Sequence, residues 1–314
     1  MAHEVETMAY AGELPWHGLG EKVSNDLSPS QMMMKAGCDW AVEKQDMFLA
    51  NGSKVDGKQA LVRSTDSKIL DVVGNDWNPI QNIDAFEFFS EYVMAGDMEM
   101  HTAGSLKEGR NVWALAKIKD SFTILGEDQV DSYLLFSNPH QYGRAIDIRF
   151  TPIRVVCNNT LTLSLESKAV NSVKVGHRSH FDANMVKQTL GIAHEKFAKY
   201  KQTAEFLASK KFTADSLIQY YNEVFPFTHK QNGSIEKFSD LSKTAKEAYA
   251  VLETQPGARL GEGTWWQALN SVTYLTDHVL GRSQDSRLQS AWFGINQARK
   301  IKAVNKAVDY AVAA

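Results

Sequence analysis

The chain has 314 residues and is 43% hydrophobic, enough for one large domain or two ordinary ones around a buried core. It has no run of about 18 to 20 apolar residues, and its N-terminal MAHEVETMAY lacks a basic region followed by a hydrophobic one, which argues against a membrane span and a signal peptide. Cys38 and Cys157 lie far apart without CxxC spacing, which excludes a cysteine-built zinc site and favours the reducing cytoplasm.

The formal net charge of −3 is distributed unevenly along the chain. Residues 1–136 hold 11 basic and 22 acidic side chains, residues 137–180 hold 6 and 2, and residues 181–314 hold 17 and 13. We call residues 137–180 the basic segment. Such a distribution fits an anionic ligand on one face, contact between subunits, or an uneven solvated surface.

The first elements follow from turn and cap residues. Residues 1–27 predict an N-terminal arm, because Pro and Gly surround Trp16 and His17. Ser28 is a predicted N-cap, Pro29 occupies the first helical position, and Gly37 stops this short helix. The segments WAVEKQDMFLA, KQALVRST and KILDVVG then predict an antiparallel meander over residues 40–74.

A second helix and more strands follow before the basic segment. Asn82 is a predicted cap for a helix through Ala95 that Gly96 ends. The segments MEMHTAGSL, RNVWALAKI and DSYLLFS predict three further strands.

The basic segment itself alternates like a strand from residue 144 to 151, with Ile146 and Ile148 on one face and Asp147 and Arg149 on the other. After Pro152, apolar residues fit both helical and strand spacing, and we expect a buried helix near the start of IRVVCNNTLTLSL. Residues 171–177 predict one more strand.

From residue 182 onward the pattern becomes helical, with a long amphipathic helix, a second helix capped by Thr213, a third over residues 239–254, and two or three in the tail. The sequence therefore predicts an α+β fold: a mostly antiparallel β-meander sheet with packed helices, followed by a C-terminal helical region. The predicted domains are an arm over 1–27, a core domain over 28–180 and a helical region over 181–314.

Sequence motifs favour a binding protein over an enzyme. The chain contains no GxxxxGK[ST], GxGxxG, HExxH or GxSxG motif, so no cofactor is expected. His177 and His180 have a spacing that can hold a metal, but a histidine pair of this kind is usually structural. An enzyme or inhibitor remains the alternative, and its pocket would use Trp16, His17, Cys157, Asn158 and His177. A structural or host-interaction protein is the other.

The residue types that remain point to nucleic acid. Cations of the basic segment have the spacing to follow successive phosphates, and aromatic rings beside them can stack on unpaired bases. The candidate phosphate contacts are Arg144, Arg149, Arg154, Lys174, His177 and Arg178, and the candidate stacking rings are Tyr142 and Phe150. A second basic strip spans residues 282–306, where Arg282, Arg287, Arg299, Lys300, Lys302 and Lys306 face a single acidic residue, Asp285.

Several long segments carry a family resemblance. They are PWHGLG, DVVGNDWNPIQNIDAFEFF, TAGSLKEGRNVWALAKI, RFTPIRVVCNNTLTLSL, GTWWQALNSVTYLTDHV and RLQSAWFG. Together they resemble a phage- and plasmid-related family whose conserved domain is one of unknown function (DUF932-like), and the resemblance covers nearly the whole chain. It implies carriage on a phage, prophage or plasmid, and hence the host cytoplasm, but it implies no activity.

A remoter similarity concerns the order of elements. A meander followed by a helix across the sheet and a basic strand is similar to the core of single-strand annealing proteins of the Rad type, which assemble as rings or filaments and hold DNA in a positive groove. This similarity implies a homo-oligomer that captures single-stranded DNA without ATP or metal, with the cations of the basic segment lining the groove. We therefore expect a phage-encoded single-stranded DNA-binding protein of recombination, annealing or replication.

Overall fold

The computed structural model describes residues 5–12, 19–154, 159–160, 173–175, 183–227, 235–281 and 284–313. The chain forms two compact units that alternate along the sequence. The first unit comprises Met1–Lys119, Tyr133–Phe150 and Ser167–Ala193, and the second comprises Asp120–Ser132, Thr151–Glu166 and His194–Ala314. The three consecutive domains expected from the sequence stay a prediction.

The strands of the described residues are, in chain order, β1 (Val5–Ala11), β2 (Glu21–Val23), β3 (Val42–Phe48), β4 (Lys54–Arg63), β5 (Ile69–Gly74), β6 (Met98–Leu106), β7 (Asn111–Ile124), β8 (Asp128–Pro139), β9 (Ile146–Arg154), β10 (Asn159–Thr160) and β11 (Val173–Val175). The helices are α1 (Pro29–Lys35), α2 (Asn82–Glu87), α3 (Ser90–Ala95), α4 (Ala183–Ser209), α5 (Ala214–Val224), α6 (Lys243–Ala250), α7 (Trp265–Tyr274), α8 (Gln284–Phe293) and α9 (Ile295–Ala313).

Two sheets organise these strands. The larger has the order β10-β9-β8-β7-β6-β1-β2, and β11 also pairs with β9. The smaller is the meander β3-β4-β5, whose strands are antiparallel. Strands β7, β8 and β9 contribute residues to both units. The predicted α+β class, with antiparallel sheets and a C-terminal helical region, is confirmed.

The predicted N-terminal arm contains a core strand. β1 pairs antiparallel with β6 and parallel with β2, and its residues from Met8 to Ala11 are buried. The two backbones come very close at Gly104, where a Cβ atom would lie 2.3 Å from the carbonyl oxygen of Thr7. The sequence VETMAYA has few β-branched residues, so its strand character comes from pairing on both edges rather than from propensity.

The second predicted helix differs in the structure. The helix expected from Asn82 to Ala95 is divided into α2 and α3, and Asn82 is the first residue of α2 rather than its cap. The Asn82 side chain is buried and donates hydrogen bonds to the backbone oxygens of Cys38 and Trp40. Gly96 ends α3 in the left-handed conformation, as predicted.

The helix expected near Ile153 is wrong at the residues described there. β9 continues to Arg154, and β10 pairs back on it with Thr160 opposite Ile153. Apolar spacing alone left this segment ambiguous, and pairing within the sheet decides it. The strand predicted over residues 171–177 is present as β11.

Helix boundaries in the C-terminal region follow the predicted caps. Thr213 caps α5, with its hydroxyl accepting from the backbone N–H of Ser216. The helix predicted over residues 239–254 is shorter, because α6 begins after a cap at Ser242. Residues 265–273 of α7 are all buried, so every face of this helix packs against other parts of the protein. A π-helical turn, Leu275–Val279, continues α7.

Candidate nucleic-acid interface

β9 places Arg149 on a largely buried strand. Arg149 Nε donates to Asp147 Oδ2 at 2.6 Å, and the side chains of this ion pair are 19% and 12% exposed. The carboxylate balances the Arg149 charge inside the pair. Phe150 is 3% exposed, so its ring belongs to the core and has no free face for a base.

β11 brings the two ends of the basic segment together at the backbone. It pairs antiparallel with β9, and Lys174 lies opposite Asp147. Arg154 lies at the end of β9, opposite Asn159. Arg154 and Lys174 are described through their backbone alone, and His177 and Arg178 lie outside the described residues.

The turn between β8 and β9 carries the most accessible part of the candidate site. Tyr142 is 60% exposed, and Arg144 two residues later is also exposed. Gly143 has φ 73°, a left-handed conformation that favours glycine. The ammonium group of Lys58, from β4, lies 5.8 Å from the centre of the Tyr142 ring, within cation–π range. We call Lys58, Tyr142 and Arg144 the tyrosine platform.

Charge on the tyrosine platform is open to a ligand. Within the described part of the chain, no carboxylate lies within 4.0 Å of the Lys58 or Arg144 side-chain nitrogens. The nearby carboxylate of Asp71 on β5 accepts the backbone N–H of Tyr142 at 2.7 Å. The sequence did not indicate Lys58 or Asp71. They precede Tyr142 by 84 and 71 positions, respectively, and no local pattern connects residues that far apart.

A buried network of hydrogen bonds holds the end of β8, directly before the turn that carries Tyr142. His140 Nε2 and Asn82 Oδ1 are 2.9 Å apart, and Asn138 Nδ2 donates to the backbone oxygen of Ile80 at 3.0 Å. The backbone N–H of His140 donates to the Arg110 oxygen at 2.8 Å. These bonds hold Asn138 and His140, which lie shortly before Tyr142, because buried polar groups require their partners.

Comparison with known proteins assigns a family. A family model described as a domain of unknown function (DUF932) matches residues 69–292, more than two thirds of the chain. The chain belongs to the DUF932 family. Comparisons of this DUF932 protein with curated proteins and with solved structures found no significant match. The matched range includes Tyr142, Arg144 and Asp71, whereas Lys58 precedes it.

The second basic strip of this DUF932 protein does not form one surface. Lys300 is fully buried against Asp277, and Lys306 lies 2.8 Å from Glu223. Burial also lowers the pKa of Arg299, whose guanidinium group lies over the Phe225 ring. Arg287 donates to the backbone oxygen of His278. Lys300 is therefore shielded from solvent, and Lys306, Arg299 and Arg287 already have partners within the protein.

The residues of the alternative pocket lie outside the described residues, as do His180 and Asp182. Among the residues that the structure does describe, no group of three or more His, Cys, Asp or Glu side chains is arranged to hold a metal ion. In the same part of the chain, no helix is long and apolar enough to cross a membrane.

Proposed function

We propose that this DUF932 protein is a phage-encoded protein that binds single-stranded DNA, as a homo-oligomer, in recombination, strand annealing or replication without nucleotide hydrolysis. The observation that carries the proposal is the tyrosine platform, an exposed ring with one cation over it and a second cation two residues away. Proteins that bind single strands without sequence preference combine these two features, because every base has a face that stacks and every nucleotide has a phosphate.

The platform favours a single strand over a duplex. A tyrosine ring stacks on a base only when that base is unpaired and turned outward, whereas the bases of a duplex already stack on one another. Lys58 and Arg144 supply positive charge for the adjacent phosphates. Arg149 contributes less than we expected from the sequence, because Asp147 balances its charge.

The remaining predicted cations extend the proposed track. Lys174 lies on β11, which pairs with β9. We propose that it contacts the phosphates of the DNA together with Arg154, His177 and Arg178. The chain has a net charge of −3, so attraction to DNA comes from this local field and not from the whole protein. Salt at about 0.2 M should therefore weaken binding strongly relative to 0.05 M.

The test is fluorescence anisotropy with a labelled single-stranded oligonucleotide, measured over a series of salt concentrations. We expect binding at low salt that weakens as salt rises, and weaker binding by Tyr142→Ala and Arg144→Glu. The control is Lys243→Glu, which reverses a charge at a side chain that is 92% exposed on α6. No binding at low salt, or binding that salt does not change, contradicts the proposal.

Equal affinity in Arg144→Glu and wild type contradicts the role of the platform.

Oligomerisation is tested separately by sedimentation of the free protein. A strict monomer at all concentrations is incompatible with assembly into rings or filaments.

A further inference from the structure

The carboxylate of Asp71 connects the smaller sheet to the turn that carries Tyr142. Its Oδ2 accepts the backbone N–H of Tyr142 at 2.7 Å, and its Oδ1 accepts the N–H of Val72 at 2.8 Å. Asp71 lies on β5, opposite Leu61 of β4, so the sheet fixes the position of the carboxylate. Both oxygens therefore hold backbone groups in place.

The same sheet also supplies the cation of the platform. Lys58 lies on β4 opposite Gly74, the last residue of β5 and three positions after Asp71. The hydrogen bond from Tyr142 to Asp71 thus fixes the turn relative to the strand pair that carries Lys58. The pairing of β4 with β5 and the hydrogen bond from Tyr142 to Asp71 together place the Lys58 ammonium group 5.8 Å from the centre of the Tyr142 ring.

A carboxylate next to a phosphate site weakens the attraction for DNA, since like charges repel. A favourable effect of Asp71 on DNA binding must therefore come from something other than its charge. Holding a side chain in its binding conformation before the ligand arrives reduces the entropy lost on binding. Asp71 holds the backbone of Tyr142 in this way.

We infer that Asp71 is a positioning residue that sets Tyr142 for stacking, so that the platform recognises an unpaired nucleobase as well as phosphates. The inference rests on the proposed function and adds what the site recognises. It predicts that loss of Asp71 weakens binding although it removes a negative charge. A purely electrostatic site predicts the opposite sign.

The experiment compares two ligands with equal charge. One is a single-stranded oligothymidylate of about ten nucleotides, within the range that one binding module covers. The other has the same sugar-phosphate backbone with abasic residues throughout. We expect wild type to bind the abasic strand about tenfold or more weakly, because stacking is lost. In Asp71→Ala, which has no side-chain acceptor for the Tyr142 N–H, this ratio falls toward one, while the dependence on salt is unchanged because the phosphate contacts remain.

A double-mutant cycle guards against a general effect on folding. In the Tyr142→Ala background, Asp71→Ala should cause no further loss, because the side chain that it positions is gone. Asp76→Ala is the matched control, since it removes a carboxylate from the exposed loop after β5. This variant should keep the wild-type ratio.

Three results with Asp71→Ala overturn the inference: an unchanged ratio, tighter binding, or a further loss in the Tyr142→Ala background. Failure of wild type to bind either strand overturns the proposed function itself. A wild type that binds both strands equally leaves DNA binding in place and contradicts base recognition.

Discussion

Lys300 Nζ lies 2.6 Å from Asp277 Oδ1, and both side chains are completely buried. Burial lowers the pKa of Lys300, while the adjacent carboxylate opposes that shift. The pair joins α9 to the π-helical turn after α7, where Asn296 also donates to the backbone oxygen of Thr276 at 2.9 Å. A π-helical turn changes the backbone hydrogen-bonding pattern, and side chains from α9 bind groups in it.

We expect Lys300→Met to destabilise the protein by about 3–5 kcal/mol, because it leaves the Asp277 carboxylate buried without its cation. Adding Asp277→Leu should recover much of this loss, since the double variant has no charged group at either position of the pair. Urea denaturation measures both. Lys302→Met, at an exposed position of the same helix, is the control. A neutral effect of Lys300→Met contradicts the prediction.

Arg63 forms ion pairs with two carboxylates. Its guanidinium group donates to Glu6 at 2.7 Å and to Asp66 at 2.6 Å. These contacts lower the pKa of Asp66 to about 2 and lower the pKa of Glu6 below 4.5. Both carboxylates bind protons more weakly in the folded state than in the unfolded chain, so they stabilise the fold above their unfolded pKa values and lose this effect as pH falls.

The free energy of unfolding should therefore decrease as pH falls from about 4.5 to about 2. A variant with Glu6→Gln and Asp66→Asn should lose less over the same interval, as measured by urea denaturation at each pH. Asp76→Asn should follow wild type. Identical pH profiles for wild type and the double variant argue against this origin of acid sensitivity.

Gln81 provides side-chain partners for the edge of β3. Its Oε1 accepts the backbone N–H of Val42 at 2.9 Å, and its Nε2 donates to the Val42 oxygen at 3.0 Å. Gln81→Ala should cost about 1–3 kcal/mol, because two backbone groups of a buried residue lose their partner. Thermal and urea unfolding check this value. Gln45→Ala, at an exposed position on the same strand, should change stability by less than about 0.5 kcal/mol.

Gly109 lies against Arg63 and Trp40. A Cβ atom there would be 2.8 Å from Arg63 Nη1 and 3.4 Å from Trp40 Cζ2, and the residue has φ 84°. Gly52 has the same φ with nothing within 4 Å, so it separates the contact from backbone strain. Gly109→Ala should destabilise more than Gly52→Ala, by about 1 kcal/mol or more, through overpacking. Equal effects in urea denaturation would assign the whole cost to the backbone.

Cap and periodicity signals in the sequence were sufficient for much of the fold. Ser28 and Thr213 cap α1 and α5 as predicted, and each exchanges hydrogen bonds with the residue three positions later. The meander β3-β4-β5 also follows from alternation and turn residues. These features depend on groups close together in the chain, so the local sequence contains the information that forms them.

The candidate site depended on contacts between distant parts of the chain. The sequence indicated Tyr142 and Arg144 but gave no reason to join Lys58 or Asp71 to them. It also presented Arg149 as a free cation, whereas β9 holds it against Asp147. Sheet pairing and burial determine which side chains come close together. Only such close pairs interact strongly, because solvent and salt screen charges that lie farther apart.

The sequence by itself determined the α+β class, the helix caps and the presence of a basic segment. The tertiary structure alone decided that β1 is a core strand, that Lys300 is buried, and which cations remain exposed. The physical reason is the same in each case. Secondary structure and local charge follow from neighbours along the chain, whereas strand pairing, burial and ion pairs follow from neighbours in space.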